Sequence, residues 1–110
     1  MRVLVAIAPA MYRQTLVYVL TEHRPSIEIK AVDPSHVDRE VEIFRPDLLI
    51  SQDTLSDVGY SVPSWIEILY SDSMGAQVRV NEKNWRMVED IELEDLLAVV
   101  DETQEFISRP

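Results

Sequence analysis

The stretch that decides the fold is FRPDLLISQD, residues 44–53. Its first four residues are typical of a helix end and a turn. An unbroken apolar run follows them, as expected of a parallel strand covered on both faces. The first polar side chains after the run include Gln52 and Asp53, and in open α/β sheets ligands bind at the carboxyl ends of strands. The sequence therefore predicts a central buried strand over residues 48–52 and a candidate site at its end.

Strands and helices alternate before this stretch. Residues 3–8 form an apolar run of strand length, and Pro9 separates it from a segment with apolar residues at helical spacing. Pro25 ends that helix, because proline cannot continue the hydrogen-bond ladder. Residues 27–31 alternate between apolar and polar, which predicts a half-exposed edge strand. Asp33 then precedes a short amphipathic helix that leads into the central strand.

The second half of the chain predicts a change of strand direction. Residues 54–64 hold at most one short helical turn, and residues 66–71 form the fourth strand. The next connection is too short for a parallel crossover, so residues 77–80 should run antiparallel to the fourth strand. After a tight turn, residues 85–89 return, and residues 93–107 form an apolar-striped helix. The predicted fold class is α/β and flavodoxin-like or receiver-like. It is a single domain over residues 1–110, with a mostly parallel sheet, helices on both faces, a reduced helix count and an antiparallel hairpin at one edge.

Charge and composition exclude several functions. The net charge of −10 would repel nucleic acids and anionic membrane surfaces. The chain has no cysteine, which excludes disulfides, thiolate metal sites and cysteine nucleophiles. It also lacks the roughly 20 consecutive apolar residues of a membrane span, and its start is too short an apolar run for a signal peptide. We expect a soluble cytoplasmic protein that binds neither nucleic acid nor membrane.

Three short strings resemble the receiver domain of two-component response regulators. They are MRVLV at residues 1–5, RPDLLI at residues 45–50 and VEDIELEDLL at residues 88–97. Receivers are phosphorylated on an aspartate beside a bound divalent metal. The resemblance therefore implies a regulatory domain, and its chemistry depends on which receiver residues are present here.

Most receiver site positions carry residues that cannot perform the receiver reaction. The two metal-binding acids correspond to Ile7 and Ala8, which offer no oxygen ligand to a hard cation. The phosphoacceptor corresponds to Gln52, whose amide is not a nucleophile, and the lysine of the last strand corresponds to Glu89. Only a hydroxyl is kept, as Ser71. The degenerate receiver pocket thus comprises Ile7, Ala8, Gln52, Asp53, Ser71 and Glu89. Asp53 could serve as a residual phosphoacceptor only if the strand register slipped by one residue.

Residues 3–7 and 31–34 also resemble the first half of a universal stress protein, some members of which bind ATP. That resemblance implies an adenine nucleotide at the strand ends near Pro9, Asp33 and Gln52. Ala8 stands where these proteins carry an aspartate, and the chain has no glycine-rich phosphate loop. Nucleotide binding is therefore the alternative interpretation.

Other polar residues have ordinary structural explanations. Carboxylates near the carboxyl edge of the sheet could bind magnesium or calcium, but aspartate is also a favoured cap and turn residue. The residues concerned are Asp33, Asp53, Asp57 and Asp72. His23 and His36 have no ligand-spaced partner, and no serine lies in a nucleophile-elbow motif. We expect no enzymatic activity, metal or cofactor.

The predicted fold lacks two helices that would cover one face of the sheet, so another surface must bury it. The candidates are the loop, the hairpin or a second copy of the chain. The candidate interface residues are Val58, Tyr60, Val62, Trp65, Trp85 and Met87, although the two tryptophans could equally be core residues. We expect a non-catalytic, unphosphorylated pseudo-receiver that acts in signalling by protein–protein interaction, with an unknown protein partner or as a homodimer.

Overall fold

A computed structural model describes residues 1–52, 58–69, 75–83 and 85–108. The described residues form a six-stranded sheet and three α-helices. In chain order the elements are β1 (Arg2–Ala6), α1 (Ala10–His23), β2 (Glu28–Ala31), α2 (Val37–Phe44), β3 (Leu48–Gln52), β4 (Ser64–Leu69), β5 (Gly75–Arg79), β6 (Arg86–Val88) and α3 (Leu93–Ile107). Short 3-10 turns lie at Pro34–His36 and Val58–Ser61.

The sheet is mixed in direction, and its strand order is β2-β1-β3-β4-β5-β6. β1 pairs parallel with β2 and β3, and β3 pairs parallel with β4. The β4–β5 and β5–β6 pairs are antiparallel. The prediction of a mostly parallel, flavodoxin-like or receiver-like sheet is therefore wrong. The predicted antiparallel hairpin is present at one edge as β5 and β6, but with β4 it makes up three of the six strands, so the sheet is mixed. The connections between these three strands are too short for a crossover.

The central strand is β3, as the sequence predicted. It lies between β1 and β4, and its residues Leu48, Leu49 and Ile50 are fully buried. Burial of one such side chain stabilises the fold by about 1.5–3 kcal/mol. The edge position of β2 is also confirmed, because most of its residues are exposed. β2 and β3 both pair parallel with β1, which lies between them.

The core consists of two clusters, one on each face of the sheet. On the face that we call the α1–α3 face, Leu20 of α1 and Val99 of α3 pack with strand residues such as Val5 and Ile50. On the α2 face, Val37 and Val41 of α2 pack with the residues that point the other way, namely Leu4, Ala6, Leu49, Val62 and Trp65. Successive side chains of β1 and β3 thus point to opposite faces, so each strand contributes to both core clusters.

Candidate functional site

At the described positions of the predicted receiver pocket, the Gln52 amide bonds to the backbone of Ala8. Ile7 is buried, and the backbone N–H of Ala8 donates to Oε1 of Gln52 at 2.8 Å. The Gln52 side chain thereby ties the end of β1 to the end of β3. Glu89 is exposed after β6. Asp53 and Ser71 lie outside the described residues. The described positions offer no carboxylate pair to a cation and no nucleophile to a phosphoryl group.

Asp33 caps the 3-10 turn that it precedes. Its carboxylate accepts hydrogen bonds from the backbone N–H of Ser35 at 3.0 Å and from the Ser35 hydroxyl at 2.7 Å. The backbone hydrogen bond is the main cause of the lowered pKa of Asp33. Both histidines, His23 and His36, are exposed. Asp57 and Asp72, like Asp53, lie outside the described residues. Asp33 is thus engaged in a local cap, as its sequence position suggested.

The described part of the chain contains no group of three or more acidic or histidine side chains that could hold a metal ion. Within the same residues, no helix is both long enough and apolar enough to cross a membrane.

The predicted interface residues divide between the core and the surface. Val62 and Trp65 are buried on the α2 face, Trp85 is half-buried, and Tyr60 and Met87 are exposed. The Trp65 indole donates from Nε1 to the hydroxyl of buried Ser51 at 2.8 Å. The ring centroids of Trp65 lie 5.4 Å from Tyr60 and 5.2 Å from Trp85, both edge to face. The side chain of Val58 lies outside the description. Trp65 is therefore a core residue that anchors an aromatic cluster.

A buried arginine lies beneath this aromatic cluster. Arg79 of β5 pairs with Trp65 across the strands, and its guanidinium carbon lies 5.0 Å from the ring centroid of Tyr60. One Arg79 amino group donates to the carbonyls of Gly59 and Val62, both at 3.2 Å. Nε of Arg79 has no hydrogen-bond partner among the described residues. Arg79 thus holds the Val58–Ser61 turn against the sheet. The turn covers part of the face for which the sequence predicts no helix.

An apolar groove lies on the opposite face, between the N-terminal halves of α1 and α3. Its volume is about 450 Å³. The ends of β1 and β4 contribute Ile7 and Ile68 to its lining. The other lining residues come from α1 and from the start of α3: Tyr12, Thr15, Leu16, Val19, Ile91, Glu92, Leu93 and Leu96. Apolar side chains thus dominate a concave surface that lies between two helices.

The two helices that form this groove are joined by an ion pair. The guanidinium of Arg24, directly after α1, donates from Nε and from an amino group to the two oxygens of Asp101 in α3, each at 2.8 Å. This hydrogen bonding is the main cause of the lowered pKa of Asp101 and of the raised pKa of Arg24. The paired charges lie near the end of α1 that is away from the groove residues Tyr12 and Thr15. The pair therefore fixes the spacing of the helices without filling the groove.

The acidic start of α3 forms one rim of the groove. Glu92 and Asp95 make a capping box, in which each side chain accepts from the backbone N–H of the other residue. The Asp95 carboxylate receives the Glu92 N–H at 2.8 Å. Glu94 is exposed in the same turn. The acids that stabilise the helix start thus also give the groove a negative rim.

Comparisons with protein-family models, with curated proteins and with solved structures find no match to this chain. The assignment of a site therefore rests on geometry alone.

The apolar pattern of the sequence does not predict the groove. The available signal was in α1, where Met11, Tyr12 and Tyr18 lie outside the sheet-facing stripe, so that the helix is apolar on more than one face. Only Leu20 of this 14-residue helix is fully buried. Such a distribution is typical of a helix that packs against more than its own sheet.

Proposed function

We propose that this chain is a non-catalytic regulatory domain that acts by binding another protein through the outer surface of α1 and the adjoining groove. The observation that carries the proposal is the exposure of α1, where Met11 is 66%, Tyr12 54% and Tyr18 66% exposed. Several exposed apolar side chains on one helix indicate a protein interaction site. Tyrosine suits them because it combines a large apolar area with a polar group.

The chemistry of the strand ends supports a role without catalysis. Ile7, Ala8 and Gln52 stand where a receiver would hold its metal and its phosphoryl group, and the Gln52 amide is bonded to the Ala8 backbone. The regulatory part of the proposal rests on the short strings shared with receiver domains and not on the fold.

A photo-cross-linking experiment tests the protein-binding proposal. A benzophenone amino acid is placed at Tyr12 in one variant and at Ile43 in the other, and each is irradiated in cells of the source organism. Ile43 is the matched control because it is 64% exposed but lies on α2, on the opposite face. We expect a heteromeric adduct of defined mass from position 12 alone. No adduct at position 12, or the same adduct at both positions, would refute the proposal.

A ligand titration tests it against nucleotide binding and phosphorylation. The melting temperature is measured alone, with Mg-ATP, and with magnesium plus beryllofluoride. A ligand at about 100 times its dissociation constant would add about 2.7 kcal/mol and raise the melting temperature by several degrees. We expect no shift. A rise with Mg-ATP would establish the nucleotide alternative instead, and a rise only with beryllofluoride would show a working phosphoacceptor.

A further inference from the structure

Three polar groups at the α1–α3 groove, those of Thr15, Glu92 and Arg13, are engaged within the protein. The hydroxyl of Thr15 donates to the carbonyl of Met11 at 2.8 Å, and the carboxylate of Glu92 caps its own helix. An amino group of Arg13, the nearest cation on α1, donates to the carbonyl of Ile7 at 2.9 Å. Small-molecule sites use a few polar groups aimed at the ligand to fix its orientation. The hydroxyl of Tyr12 is the remaining side-chain polar group of the described lining. One hydroxyl among mainly apolar walls suits the apolar side chains of a protein segment.

The spacing of the groove residues on α1 suits a helical segment. Tyr12, Thr15, Leu16 and Val19 occupy positions i, i+3, i+4 and i+7, which form one continuous stripe along the helix. The stripe extends about 10 Å, or two helical turns. A helix that lies in such a groove inserts apolar residues with the same spacing. The wall is therefore long enough for two turns of an amphipathic helix.

The charges around the groove indicate whether a bound segment would be basic or acidic. No lysine or arginine occurs between Met87 and Ser108, whereas Glu92 and Glu94 lie at the groove end of α3. Arg24, which follows α1, is paired with Asp101. Arg13 is bonded to the carbonyl of Ile7 and keeps its charge, but the acids at the start of α3 outnumber it. A second copy of the chain, itself at −10, would bring the same acidic rim to the interface. Complementary charge favours a basic segment and opposes self-association at this surface.

We propose that the α1–α3 groove binds the apolar face of a basic amphipathic helix of a partner protein. This inference rests on the proposed function and adds to it the chemical class of the partner. Leucine-like side chains of the partner helix fill the space between Tyr12, Val19 and Leu93. Its lysines or arginines meet the acids at the start of α3.

Three designed peptides of about 18 residues, or five helical turns, test this proposal. The first carries leucines along one face and lysines elsewhere. The second replaces every lysine with glutamate. The third has the composition of the first but distributes the leucines around the helix. Binding is measured by fluorescence anisotropy at about 150 mM salt, where long-range attraction between exposed charges is screened. We expect the first peptide to bind at least about tenfold more tightly than either of the others.

Matched variants locate the binding surface. Tyr12→Ala removes a groove wall, whereas Ile43→Ala removes an exposed apolar side chain from α2, on the opposite face. We expect Tyr12→Ala to weaken binding of the leucine–lysine peptide about tenfold, as for a central interface tyrosine, and Ile43→Ala to change it about twofold or less. Glu94→Lys should weaken binding several-fold more than Glu42→Lys, which makes the same charge change on α2. Equal melting temperatures within each pair confirm that folding is unaffected.

The outcomes separate this proposal from the proposed function. Equal binding of the scrambled peptide, equal effects of Tyr12→Ala and Ile43→Ala, or no binding at all would refute the groove as a helix site. Equal binding of the leucine–glutamate peptide would refute the basic partner. Dimerisation abolished by Tyr12→Ala would make a second copy the occupant. In each case, a specific adduct from the cross-linker at position 12 would still support the proposed protein-binding function. No adduct at that position would refute both the proposed function and the groove proposal.

Discussion

Replacing Thr103 with valine should lower the free energy of unfolding by about 1–3 kcal/mol, although the two side chains have the same shape. Thr103 of α3 and Ser64 of β4 are both fully buried, and their hydroxyl oxygens are 2.8 Å apart. The Thr103 oxygen also lies 2.8 Å from the carbonyl of Val99, and the backbone N–H of Asn81 donates to the Ser64 oxygen at 3.2 Å. This chain of hydrogen bonds joins α3 to the sheet.

The magnitude follows from the number of hydroxyl protons. Each hydroxyl carries one proton, so Thr103 donates to the Val99 carbonyl while Ser64 donates to the Thr103 oxygen. Valine leaves no cavity, but it leaves the buried Ser64 proton without an acceptor, and an unpaired buried donor costs about 1–3 kcal/mol. For a domain of about 100 residues, even the lower figure lowers the melting temperature by about 4 °C.

A double-mutant cycle separates this cost from side-chain packing. In a Ser64→Ala background no serine proton remains, so Thr103→Val should cost at least about 1 kcal/mol less than in the natural sequence. Urea unfolding is followed by the fluorescence of buried Trp65. An unchanged midpoint for Thr103→Val, or strictly additive effects of the two substitutions, would refute the reasoning.

Two further predictions concern packing and charge. Gly59→Ala should destabilise the fold by about 1–3 kcal/mol, since a Cβ there would overlap the Trp65 ring. In thermal melts Gly75→Ala serves as the control, because its Cβ would meet the nearest atom, a backbone carbonyl oxygen, at 3.5 Å. Asp101→Asn should cost stability at neutral pH. That cost should begin to decrease as pH falls below about 4, the ordinary pKa of an aspartate, and should disappear once the pH is below the folded-state pKa of Asp101, which pairing with Arg24 lowers. An equal cost in urea titrations at pH 7 and pH 3 would contradict this.

Apolar periodicity was sufficient to predict most of the elements. The run that becomes β3 is predicted residue for residue, and the stripe of α3 is predicted over Leu93–Ile107. The reversal between β4 and β5 also follows from the sequence, because the connection is too short for a crossover. The return of β6 against β5 also follows from a tight turn in the sequence. The description of the sheet as mostly parallel was nevertheless wrong, because these antiparallel pairs involve three of the six strands.

Polar residues in the core could not be identified in this way. Ser64 was assigned to a loop, yet it pairs with Leu48 and begins β4. Arg79 has the charge of an exposed residue, but Tyr60 and the turn around Gly59 bury it. In both cases the residues that bury the side chain are distant in sequence, so the local sequence pattern does not predict its burial. The groove was missed for the same reason, because its two walls belong to opposite ends of the chain.

The mixed sheet also determines how far apart in the chain the paired residues are. The antiparallel strands join near neighbours, such as Trp65 with Arg79, whereas β1 joins β3 by pairing Val3 with Leu48. Closing a short loop loses less chain entropy than closing a long one. Strands β4, β5 and β6 thus pair at a lower entropic cost than β1 and β3. We expect the β4–β5–β6 hydrogen bonds to form before β1 pairs with β3.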